Sequence, residues 1–417
     1  MRVEIVVIGN ELLNGDLADT NSARIAAFLR REGLAVSRIE VVPDVAEPII
    51  EALGRAAARA ELVCVSGGLG PTSDDLTLEA AARFAGVPLV EDTATLSRVK
   101  GLYAARGVAF RPEHARQALV PAGAVALPNP VGTAPCVRFC PAPSAAGQGP
   151  TFFFFPGVPR ELERLVVDHL GPWVATHATA RPYHSVLFKT FGRTESQIAA
   201  LLTDVAPDPR VHIAYRAHFP EIRVGFHVTE PDSAVAAELL AARREFARRA
   251  LAELVYAEDE GTSFAGAIGE RLVARGETLA LAESCTGGLI AAQCTEEAGA
   301  SAWLLEAAVT YANAAKERAL GVPGALIASE GAVSEAVARA MAEGVRARAG
   351  ATWGLAVTGI AGPSGGSAAK PVGTVHFALA GPSGTSHLHR EFPFDRHRNR
   401  IAAAWTALDM LRRAIAR

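Results

Sequence analysis

The chain has 417 residues, half of them apolar, and its 41 Lys and Arg against 44 Asp and Glu give a formal net charge of −3. This length exceeds one ordinary core, so two or three domains are expected, and the slightly acidic balance argues against a nucleic-acid-binding protein. No apolar run reaches membrane-spanning length and the first residues lack the layout of a signal peptide, which predicts a cytoplasmic protein without membrane contacts.

The cysteines are few and odd in number, and none shows the paired spacing of a metal site. This usage fits a reducing compartment. Only three residues separate Cys136 from Cys140, and we interpret that pair as incidental. The others are Cys64, Cys285 and Cys294.

The first segment alternates strand and helix. The continuous β-branched run Val3–Ile8 predicts a strand buried on both faces, and Val36–Val42 and Leu62–Ser66 predict two further strands, with helices at 21–32 and 49–60 between the three. This order predicts a parallel sheet with right-handed crossovers. Ligands of such sheets bind beyond the carboxyl ends of the strands.

The same segment continues past a stretch rich in Pro, Gly and Ser. Residues 141–150 predict a flexible hairpin or an inserted loop. The apolar run Thr151–Phe155 predicts another strand, and residues 160–169 predict a helix. The stretch therefore interrupts the first domain without ending it.

Loops at the carboxyl ends of the predicted strands carry the candidate chemistry of this segment. A glycine-rich loop follows the third strand, and glycines there let a phosphate contact backbone N–H groups. A further loop at 128–134 could close over such a ligand. The candidate substrate contacts in the two loops are Gly67, Gly68, Gly70, Thr72, Asn129, Gly132 and Thr133.

Acidic residues beside these loops predict a metal site. Asp74 and Asp75 could hold Mg²⁺ against a pyrophosphate, and Glu11 after the first strand is a further candidate ligand. In the alternative interpretation Asp74 and Asp75 cap a helix at 76–84, where acidic residues suit the helix dipole.

A smaller segment follows at about residues 172–258. Its pattern predicts strands at 185–191, 211–215 and 222–228 and helices at 195–202 and 233–254. This is a small α+β unit in which no catalytic constellation stands out.

The last segment again alternates helix and strand and contains the motif Glu283-Ser284-Cys285-Thr286-Gly287-Gly288 before an apolar run. The motif predicts a helix N-terminus whose unpaired N–H groups could hold an oxyanion or a phosphate, with glycines that let a substrate approach. Tyr311 and Lys316 follow, and then a second glycine-rich turn with Thr358 and Gly359. Together these features suggest acyl transfer at an amide. In the alternative interpretation Ser284 and Thr286 only cap a helix.

Together with further sequence blocks, these motifs resemble those of the CinA family of competence/damage-inducible proteins, and the resemblance covers nearly the whole chain. The matching blocks occur in order: IGNELLNGDLADTN (8–21), SGGLGPTSDDLT (66–77), LPNPVGTAP (127–135), FFPGVPRELE (154–163), AESCTGG (282–288), TYANAAK (310–316), GAVSEAVARAMAEG (331–344), AVTGIAGPSGG (356–366) and KPVGTV (370–375). The resemblance implies a multidomain α/β protein. Its expected parts are a three-layer, parallel-sheet domain of the MogA/MoaB type at 1–171, a KH-like linker at 172–258 and an α/β nicotinamide-nucleotide amidase domain of the PncC type at 259–417.

The resemblance also implies two activities. For the last domain it implies hydrolysis of nicotinamide mononucleotide to nicotinic acid mononucleotide and ammonia, without a cofactor. For the first domain it implies hydrolysis of ADP-ribose at its pyrophosphate with a divalent metal such as Mg²⁺. A homodimer is expected as well. The middle segment lacks the Gly-x-x-Gly loop with which KH domains clamp a nucleic-acid backbone, so no direct nucleic-acid contact is expected.

Site roles in the last domain follow from the same resemblance. Ser284 is the expected nucleophile, which needs an adjacent base, and Lys316 is the candidate base if burial lowers its pKa. Cys285 is the competing nucleophile, and we expect it to pack in the core instead. The remaining candidates are Tyr311 to orient the lysine or relay a proton, Thr358 and Gly359 to polarise the carbonyl, Gly287 and Gly288 beside the substrate, and Arg396 and Arg400 either for the nucleotide phosphate or as surface charges.

Two features depart from the family pattern, and two other functions stay open. Cys136 stands where the family usually has a glycine, and residues 141–150 lie nearby. In one alternative the amidase is kept, while the first domain is a molybdopterin-type nucleotide binder or adenylyltransferase. In the other the protein is an accessory factor of DNA uptake or repair that acts through protein contacts.

Overall fold

The computed structural model describes residues 1–141, 149–178, 183–205, 208–230 and 232–416. The chain forms two compact units, one of Met1–His184 with Thr229–Ala236 and one of Ser185–Val228 with Ala237–Arg417. Most of the loop predicted at 141–150 lies outside the described residues. Within the described ranges, no helix combines the length and the apolar character that crossing a membrane requires.

Strands and helices alternate along the first unit. They are β1 (Val3–Ile8), α1 (Asn10–Leu13), α2 (Asn21–Arg31), β2 (Val36–Val42), α3 (Ala46–Ala57), β3 (Leu62–Ser66), α4 (Thr77–Ala85), β4 (Leu89–Glu91), α5 (Thr93–Ala105), β5 (Leu119–Pro121), β6 (Val125–Leu127), β7 (Cys136–Phe139), β8 (Thr151–Phe155), α6 (Pro159–Leu165) and α7 (Gly171–His177). A π-helical turn joins α6 to α7, so the helix predicted at 160–169 continues to His177, past residue 171.

The main sheet of this unit has the strand order β2-β1-β3-β8-β7-β6. Its first four strands run parallel, as the sequence predicts, whereas β7 pairs antiparallel with both β8 and β6. The sheet is therefore mixed. The antiparallel pairing of β7 with β8 fits the short stretch of chain between Phe139 and Thr151, because a parallel crossover typically needs about a dozen residues or more.

Both faces of this sheet are buried, which makes the domain three-layered. Successive residues of β8 alternate between the two cores: Phe153 and Phe155 pack on the α2 and α6 side, and Phe152 and Phe154 on the α3 and α4 side. A strand that is apolar on both faces reads as a continuous apolar run. For this reason the sequence predicted the central strands with their observed bounds.

The second unit begins with a four-stranded sheet in the order β10-β11-β9-β12. Its elements are β9 (Tyr183–Thr190), α8 (Glu195–Leu201), β10 (Val211–His218), β11 (Glu221–Thr229), α9 (Ser233–Leu251) and β12 (Val255–Ala257). Phe188 of β9 and Phe226 of β11 meet edge to face in its core. This segment is the small α+β unit that the sequence predicts.

The rest of the second unit is a five-stranded sheet in the order β14-β13-β15-β16-β17. The three strands β14, β13 and β15 are parallel, and β16 and β17 continue antiparallel. The elements are α10 (Phe264–Arg275), β13 (Leu279–Glu283), α11 (Leu289–Thr295), β14 (Leu304–Val309), α12 (Asn313–Leu320), α13 (Gly324–Glu330), α14 (Glu335–Ala349), β15 (Trp353–Gly359), β16 (Thr374–Gly381), β17 (Gly384–Glu391) and α15 (Arg396–Ala414).

Aromatic rings and a buried arginine join the two parts of the second unit. Phe264 of α10 stacks on Trp405 of α15 with ring centroids 4.3 Å apart, and Tyr256 of β12 meets Phe264 edge to face at 4.8 Å. The Arg412 guanidinium donates to the carbonyl oxygens of Glu253 at 2.7 Å and Val255 at 3.3 Å. The four-stranded segment is thus firmly packed on the C-terminal domain.

Candidate active site

The serine of the C-terminal motif lies in a turn directly after a buried strand. Strand β13 ends at Glu283, and helix α11 begins only at Leu289. Gly287 and Gly288 adopt positive φ angles of 61° and 91°, a region that a residue with a Cβ avoids, and they delay the helix by one turn. The sequence predicted a helix N-terminus at Ser284. The nucleophile candidate instead lies five residues before Leu289, the first residue of the helix.

The N-terminus of α11 is occupied by the side chain of Glu283. This fully buried carboxylate accepts hydrogen bonds from the backbone N–H groups of Gly288 at 3.0 Å, Ile290 at 3.2 Å and Ala291 at 2.8 Å. A carboxylate suits the positive end of the helix dipole. These N–H groups are therefore engaged by the protein itself and do not face a ligand.

Ser284 and Lys316 meet at hydrogen-bond distance. The Nζ of Lys316 lies 3.1 Å from the Oγ of Ser284, and both residues are buried. The same Nζ donates to the carbonyl oxygens of Thr310 at 2.8 Å and Tyr311 at 3.3 Å. Strand β13 positions the serine, and helix α12, which follows the adjacent strand β14, positions the lysine.

Burial lowers the pKa of the Lys316 ammonium. The side chain is 1% exposed, and among the residues that the structure describes no carboxylate lies within ion-pair distance of it. A neutral amine can donate two N–H bonds to the two carbonyl groups and then directs its lone pair at the Ser284 hydroxyl. This arrangement can remove the proton from that hydroxyl.

Cys285 lies in the hydrophobic core on the helix side of the turn. Burial is the largest cause that raises the pKa of its thiol, to about 12. A thiol of that pKa is not a thiolate at neutral pH and is a poor nucleophile.

The turn also carries N–H groups without an oxygen acceptor. Among the described residues, the backbone N–H groups of Cys285 and Thr286 bond to no oxygen and lie beside the Cys285 sulfur. The buried hydroxyls of Thr286 and Thr310 likewise have no partner in the described part of the chain. The surroundings of Ser284 thus contain buried polar groups without a partner among the described residues.

The remaining residues predicted for this domain are placed around the pair. Tyr311 contacts Lys316 through its backbone, while its phenol is 61% exposed and accepts from the Arg396 guanidinium at 3.1 Å. Thr358 is buried and donates its hydroxyl proton to the Ala332 carbonyl at 2.8 Å. Gly359 ends β15, where a Cβ would lie 2.7 Å from the Thr374 carbonyl oxygen.

Arg396 and Arg400 lie one turn apart on α15 and have different surroundings. Arg396 is exposed and also donates to the Gly362 carbonyl oxygen at 2.6 Å, beside Tyr311. Arg400 is half-buried and donates from Nε and one Nη to the carbonyl of Thr286, at 3.2 and 2.8 Å. Arg396 is therefore the arginine that accompanies Tyr311, whereas Arg400 supports the turn.

In the first unit, the glycine-rich loop after β3 is held by its own side chains. Asp75 accepts from the N–H groups of Gly70 at 2.7 Å and Thr72 at 2.9 Å, and from the Thr72 hydroxyl. Helix α4 has no side-chain cap, so Asp75 stabilises the loop and does not cap the helix. A Cβ at Gly67 would collide with the Ile8 carbonyl, and one at Gly68 with the Thr77 hydroxyl.

Acidic residues gather at the carboxyl edge of this sheet. Burial is the main cause that raises the pKa of Asp44, and the charges of Glu11, Asp74 and Asp75 raise it further. Asp44 follows β2 by two residues, and sequence reasoning missed it although it lies at the edge where ligands are expected. Among the described residues no three His, Cys, Asp or Glu side chains converge closely enough to hold a metal ion.

The loop predicted to close over a ligand is fastened to the domain. Asn129 is buried, donates to the Glu161 carboxylate at 2.7 Å and accepts from the N–H of Gly132 at 3.0 Å. Arg98 donates to the carbonyl oxygens of Asn129 and Gly132, both at 2.8 Å, and of Thr133 at 2.6 Å. The amide of Asn129 is thus used by the loop itself.

A cavity of about 280 Å³ lies beside the glycine loop. Gly68, Gly70, Asp75, Arg116 and Gln117 line it. Gln117 donates to the Thr133 hydroxyl at 3.1 Å, while its buried Oε1 has no partner among the described residues. No local motif marks Arg116 and Gln117, which explains why sequence reasoning missed them.

The fold and the site define a multidomain α/β protein whose C-terminal domain carries a buried serine–lysine pair. Residues 4–176 match the family described as "Probable molybdopterin binding domain", residues 185–257 match "Damage-inducible protein CinA KH domain", and residues 261–415 match "CinA C-terminal domain". The chain belongs to the CinA family. Its N-terminal domain is MoaB-like, its middle domain KH-like and its C-terminal domain of the CinA type.

Relatives match over the full chain. A CinA-like protein of Anaeromyxobacter dehalogenans (strain 2CP-C) is 43% identical over 421 residues and covers 100% of both chains. A CinA-like protein of Geobacter sp. (strain M21) is 45% identical and covers 99% of this chain and 97% of its own. A solved structure of CinA from Thermoplasma acidophilum, described as of unknown function, is 35% identical and covers 41% of this chain and 96% of its own, with a TM-score of 0.37.

Proposed function

We propose that the C-terminal domain is a serine amidase that hydrolyses the carboxamide of nicotinamide mononucleotide to nicotinic acid mononucleotide and ammonia. The observation that carries this proposal is the position of Lys316 Nζ, 3.1 Å from Ser284 Oγ with its other bonding directions on two backbone carbonyls. Burial of the amine favours its neutral, basic form. The nicotinamide substrate itself is an expectation from the family resemblance.

The reaction has two steps. Lys316 takes the proton of the Ser284 hydroxyl as Oγ forms a bond to the carboxamide carbon. The C–N bond then breaks, and the lysine returns the proton to the departing nitrogen, which leaves as ammonia. A water molecule attacks the acyl-serine, gives a proton to Lys316, and releases the acid as the serine regains its hydrogen.

The negative charge that develops on the carbonyl oxygen needs hydrogen-bond donors. The N–H groups of Cys285 and Thr286, which lie beside the Cys285 sulfur and have no oxygen acceptor among the described residues, are the candidates. The first of them belongs to the residue directly after the nucleophile, a common arrangement in serine hydrolases. Arg396, exposed beside Tyr311, is the candidate contact for the nucleotide phosphate, because arginine binds phosphate through two N–H groups.

We further propose that the N-terminal domain hydrolyses ADP-ribose at its pyrophosphate. The cavity lined by Gly68, Gly70 and Arg116 supports a phosphate site. Glu11, Asp44 and Asp74 are carboxylates that suit Mg²⁺, which typically uses one or two protein carboxylates together with substrate phosphates. When bound, the ion neutralises charge on the pyrophosphate. Arg116 and Gln117 then orient the ligand.

The amidase is tested by measuring ammonia release from nicotinamide mononucleotide, without added metal, by the wild type, Ser284→Ala and Cys285→Ala. We expect release by the wild type and by Cys285→Ala, and none by Ser284→Ala. Loss in Cys285→Ala alone would move the nucleophile by one residue. No release by folded wild type would contradict the amidase and favour an accessory protein that acts through partner contacts.

The N-terminal activity is tested with ADP-ribose and Mg²⁺ on the wild type, Arg116→Ala and the exposed control Arg111→Ala. We expect hydrolysis that needs the metal and is lost only in Arg116→Ala. Nucleotide binding without hydrolysis would favour a molybdopterin-type binder or adenylyltransferase instead.

We also propose a cytoplasmic homodimer that makes no direct nucleic-acid or membrane contact. Strand β14 is at the edge of its sheet and exposes Leu305, Ala307 and Val309, an apolar row that a second copy would cover. Leu305→Arg should lower the molar mass measured by light scattering, whereas Leu201→Arg, at another exposed leucine, should not. An unchanged mass in Leu305→Arg would place the interface elsewhere.

A further inference from the structure

A second cavity, of about 530 Å³, lies where the KH-like segment meets the C-terminal domain. Phe219 and Arg223 belong to its KH-like side, and Gln293, Arg400 and Trp405 to its C-terminal side. Among the described residues its walls include none of the serine–lysine pair. Its volume and its position at a boundary between domains are typical of small-molecule sites.

Ionic groups on the floor of this cavity are already paired. Lys189 donates to the carbonyl oxygens of Glu260 and Thr262, both at 2.8 Å. The Glu221 carboxylate accepts from the Tyr256 hydroxyl and from Arg223 Nε at 2.5 Å. The floor is therefore preorganised and leaves little charge to attract a ligand.

Polar groups on the C-terminal wall, in contrast, form no ion pair with the described residues. Arg400 bonds only the Thr286 carbonyl, and no carboxylate of the described residues lies within 4.0 Å of its guanidinium. Neither the Gln293 amide nor the His397 ring makes a hydrogen bond within the described part of the chain. A guanidinium, an amide and an imidazole together suit an oxyanion such as phosphate.

The other parts of the cavity suit a ring and a sugar. Phe219 at the mouth is 42% exposed, although the Arg398 guanidinium lies 5.6 Å from its ring centroid and Phe394 meets it edge to face. A flat ring would stack on the side that these two residues leave open, and Phe264 and Trp405 add further aromatic surface. Glu260 and Glu296 are exposed at the rim, where their carboxylates would repel a phosphate but accept hydrogen bonds from hydroxyl groups. A phosphate at Arg400, hydroxyls at the rim and a stacked ring describe a mononucleotide.

We propose that this cavity is an effector site for a mononucleotide, which binds with its phosphate on Arg400 and acts on the catalytic turn through that residue. Arg400 connects the two places directly, because its guanidinium lines the cavity and holds the carbonyl of Thr286, two residues after Ser284. A phosphate that draws the guanidinium toward itself weakens its hold on the turn. Binding of the mononucleotide to this cavity does not depend on the proposed amidase function, whereas its effect on activity rests on that function.

The binding test uses adenosine 5′-monophosphate, which has no carboxamide to hydrolyse. Its affinity is measured by calorimetry on the full chain carrying Ser284→Ala, alone and with Gln293→Glu or Gln197→Glu. Gln293→Glu sets a carboxylate in the wall that Arg400 also lines and should weaken the binding of the phosphate about tenfold or more through like-charge repulsion. Gln197→Glu makes the same charge change in a capping box of the KH-like segment that accepts Glu equally well, and should leave it unchanged.

Any heat that persists in both variants belongs to the N-terminal domain or to the amidase site and does not count toward this cavity. An isotherm that Gln293→Glu leaves unchanged would overturn the proposed site. Purely competitive displacement of the probe by nicotinamide mononucleotide would overturn it as well, because the cavity would then be part of the catalytic site.

The effect of the bound mononucleotide on activity is tested on the enzyme that retains Ser284. The probe should change kcat for nicotinamide mononucleotide in the wild type and in Gln197→Glu, but not in Gln293→Glu. Probe binding that leaves kcat and KM unchanged would overturn the effector role. If the wild type releases no ammonia at all, the amidase proposal fails. The calorimetric experiment still tests whether the cavity binds a mononucleotide.

Discussion

The Glu283 carboxylate lies 2.8 Å from the backbone nitrogen of Ala291, so the residue directly before the nucleophile caps the helix that follows it. One buried side chain thereby fixes both ends of the catalytic turn. The turn depends on this contact more than on its own hydroxyl groups, because Ser284 and Thr286 do not cap α11.

We expect Glu283→Ala to lower the free energy of unfolding by about 1–3 kcal/mol, because it leaves buried N–H groups without an acceptor. Amidase activity should fall with it as the turn loses its shape. Urea unfolding and ammonia release measure the two effects. Glu296→Ala, at the exposed end of the same helix, is the control and should change stability by less than about 0.5 kcal/mol. Equal effects of the two substitutions would contradict the capping role.

The pH dependence of amidase activity should follow the ionisation of the Lys316 amine. Burial lowers the pKa of this amine, and only its neutral form can accept the serine proton, so kcat/KM should rise with pH and level off above that pKa. Lys316→Arg keeps a permanent positive charge and should reduce kcat/KM about 10²–10⁴-fold while removing the acidic limb. Ammonia release across pH measures both. An acidic limb that survives in Lys316→Arg would assign it to another group.

A row of histidines on β16 and β17 should make stability depend on pH. Burial, followed by the charges of His389 and His387, lowers the pKa of His376 from 6.5 to about 4. Between these two values the unfolded chain binds a proton that the folded chain does not, so the free energy of unfolding should fall as the pH drops.

Neighbouring ionisable groups influence how far the pKa of His376 is lowered. His387 lies 3.0 Å from His376, while Glu335 opposes the shift and Lys370 adds to it. His376→Gln should flatten the slope of unfolding free energy against pH, measured by urea titration. His212→Gln, at an exposed histidine, should leave it unchanged. A slope that is the same in all three proteins would show that His376 titrates normally.

Arg98 should stabilise the conformation of the loop at 129–133. Its guanidinium serves three carbonyl groups at once, which a lysine ammonium on a longer, flexible stem cannot reproduce in the same geometry. We expect Arg98→Lys to lower the unfolding free energy by about 1–3 kcal/mol and to weaken ADP-ribose binding. Calorimetry measures the binding. Arg111→Lys, at an exposed arginine, is the matched control, and equal losses in both would contradict the assignment.

The bounds of β1, β3 and β8 could be predicted because these strands are buried on both faces, whereas β2 has an exposed, partly polar middle and was found from its β-branched ends. Val3–Ile8, Val36–Val42, Leu62–Ser66 and Thr151–Phe155 are observed as predicted. Helix ends differ more from the prediction, and the helix predicted at 49–60 is observed at Ala46–Ala57. Its periodic apolar face fixes the middle of the helix, whereas no side-chain cap marks its start.

The site could be predicted only where its residues form local motifs. The serine motif and the lysine were found in this way, and the structure brings the two side chains together. Glu283, Asp44 and Gln117 were missed because each acts through contacts with residues distant in the sequence or across a turn. The assignment of individual site residues to roles and the domain boundaries at 171 and 258 stay predictions.

Arg412 influences how the second unit unfolds. Its guanidinium is 3% exposed and pairs with Asp409 on its own helix while it donates to Glu253 and Val255 across the segment boundary. Leaving so enclosed a charge without partners typically costs about 3–5 kcal/mol. The KH-like segment and the C-terminal domain should therefore melt in one cooperative transition. A chain cut between them would uncover Phe264 and Trp405 and aggregate unless another surface covered those rings.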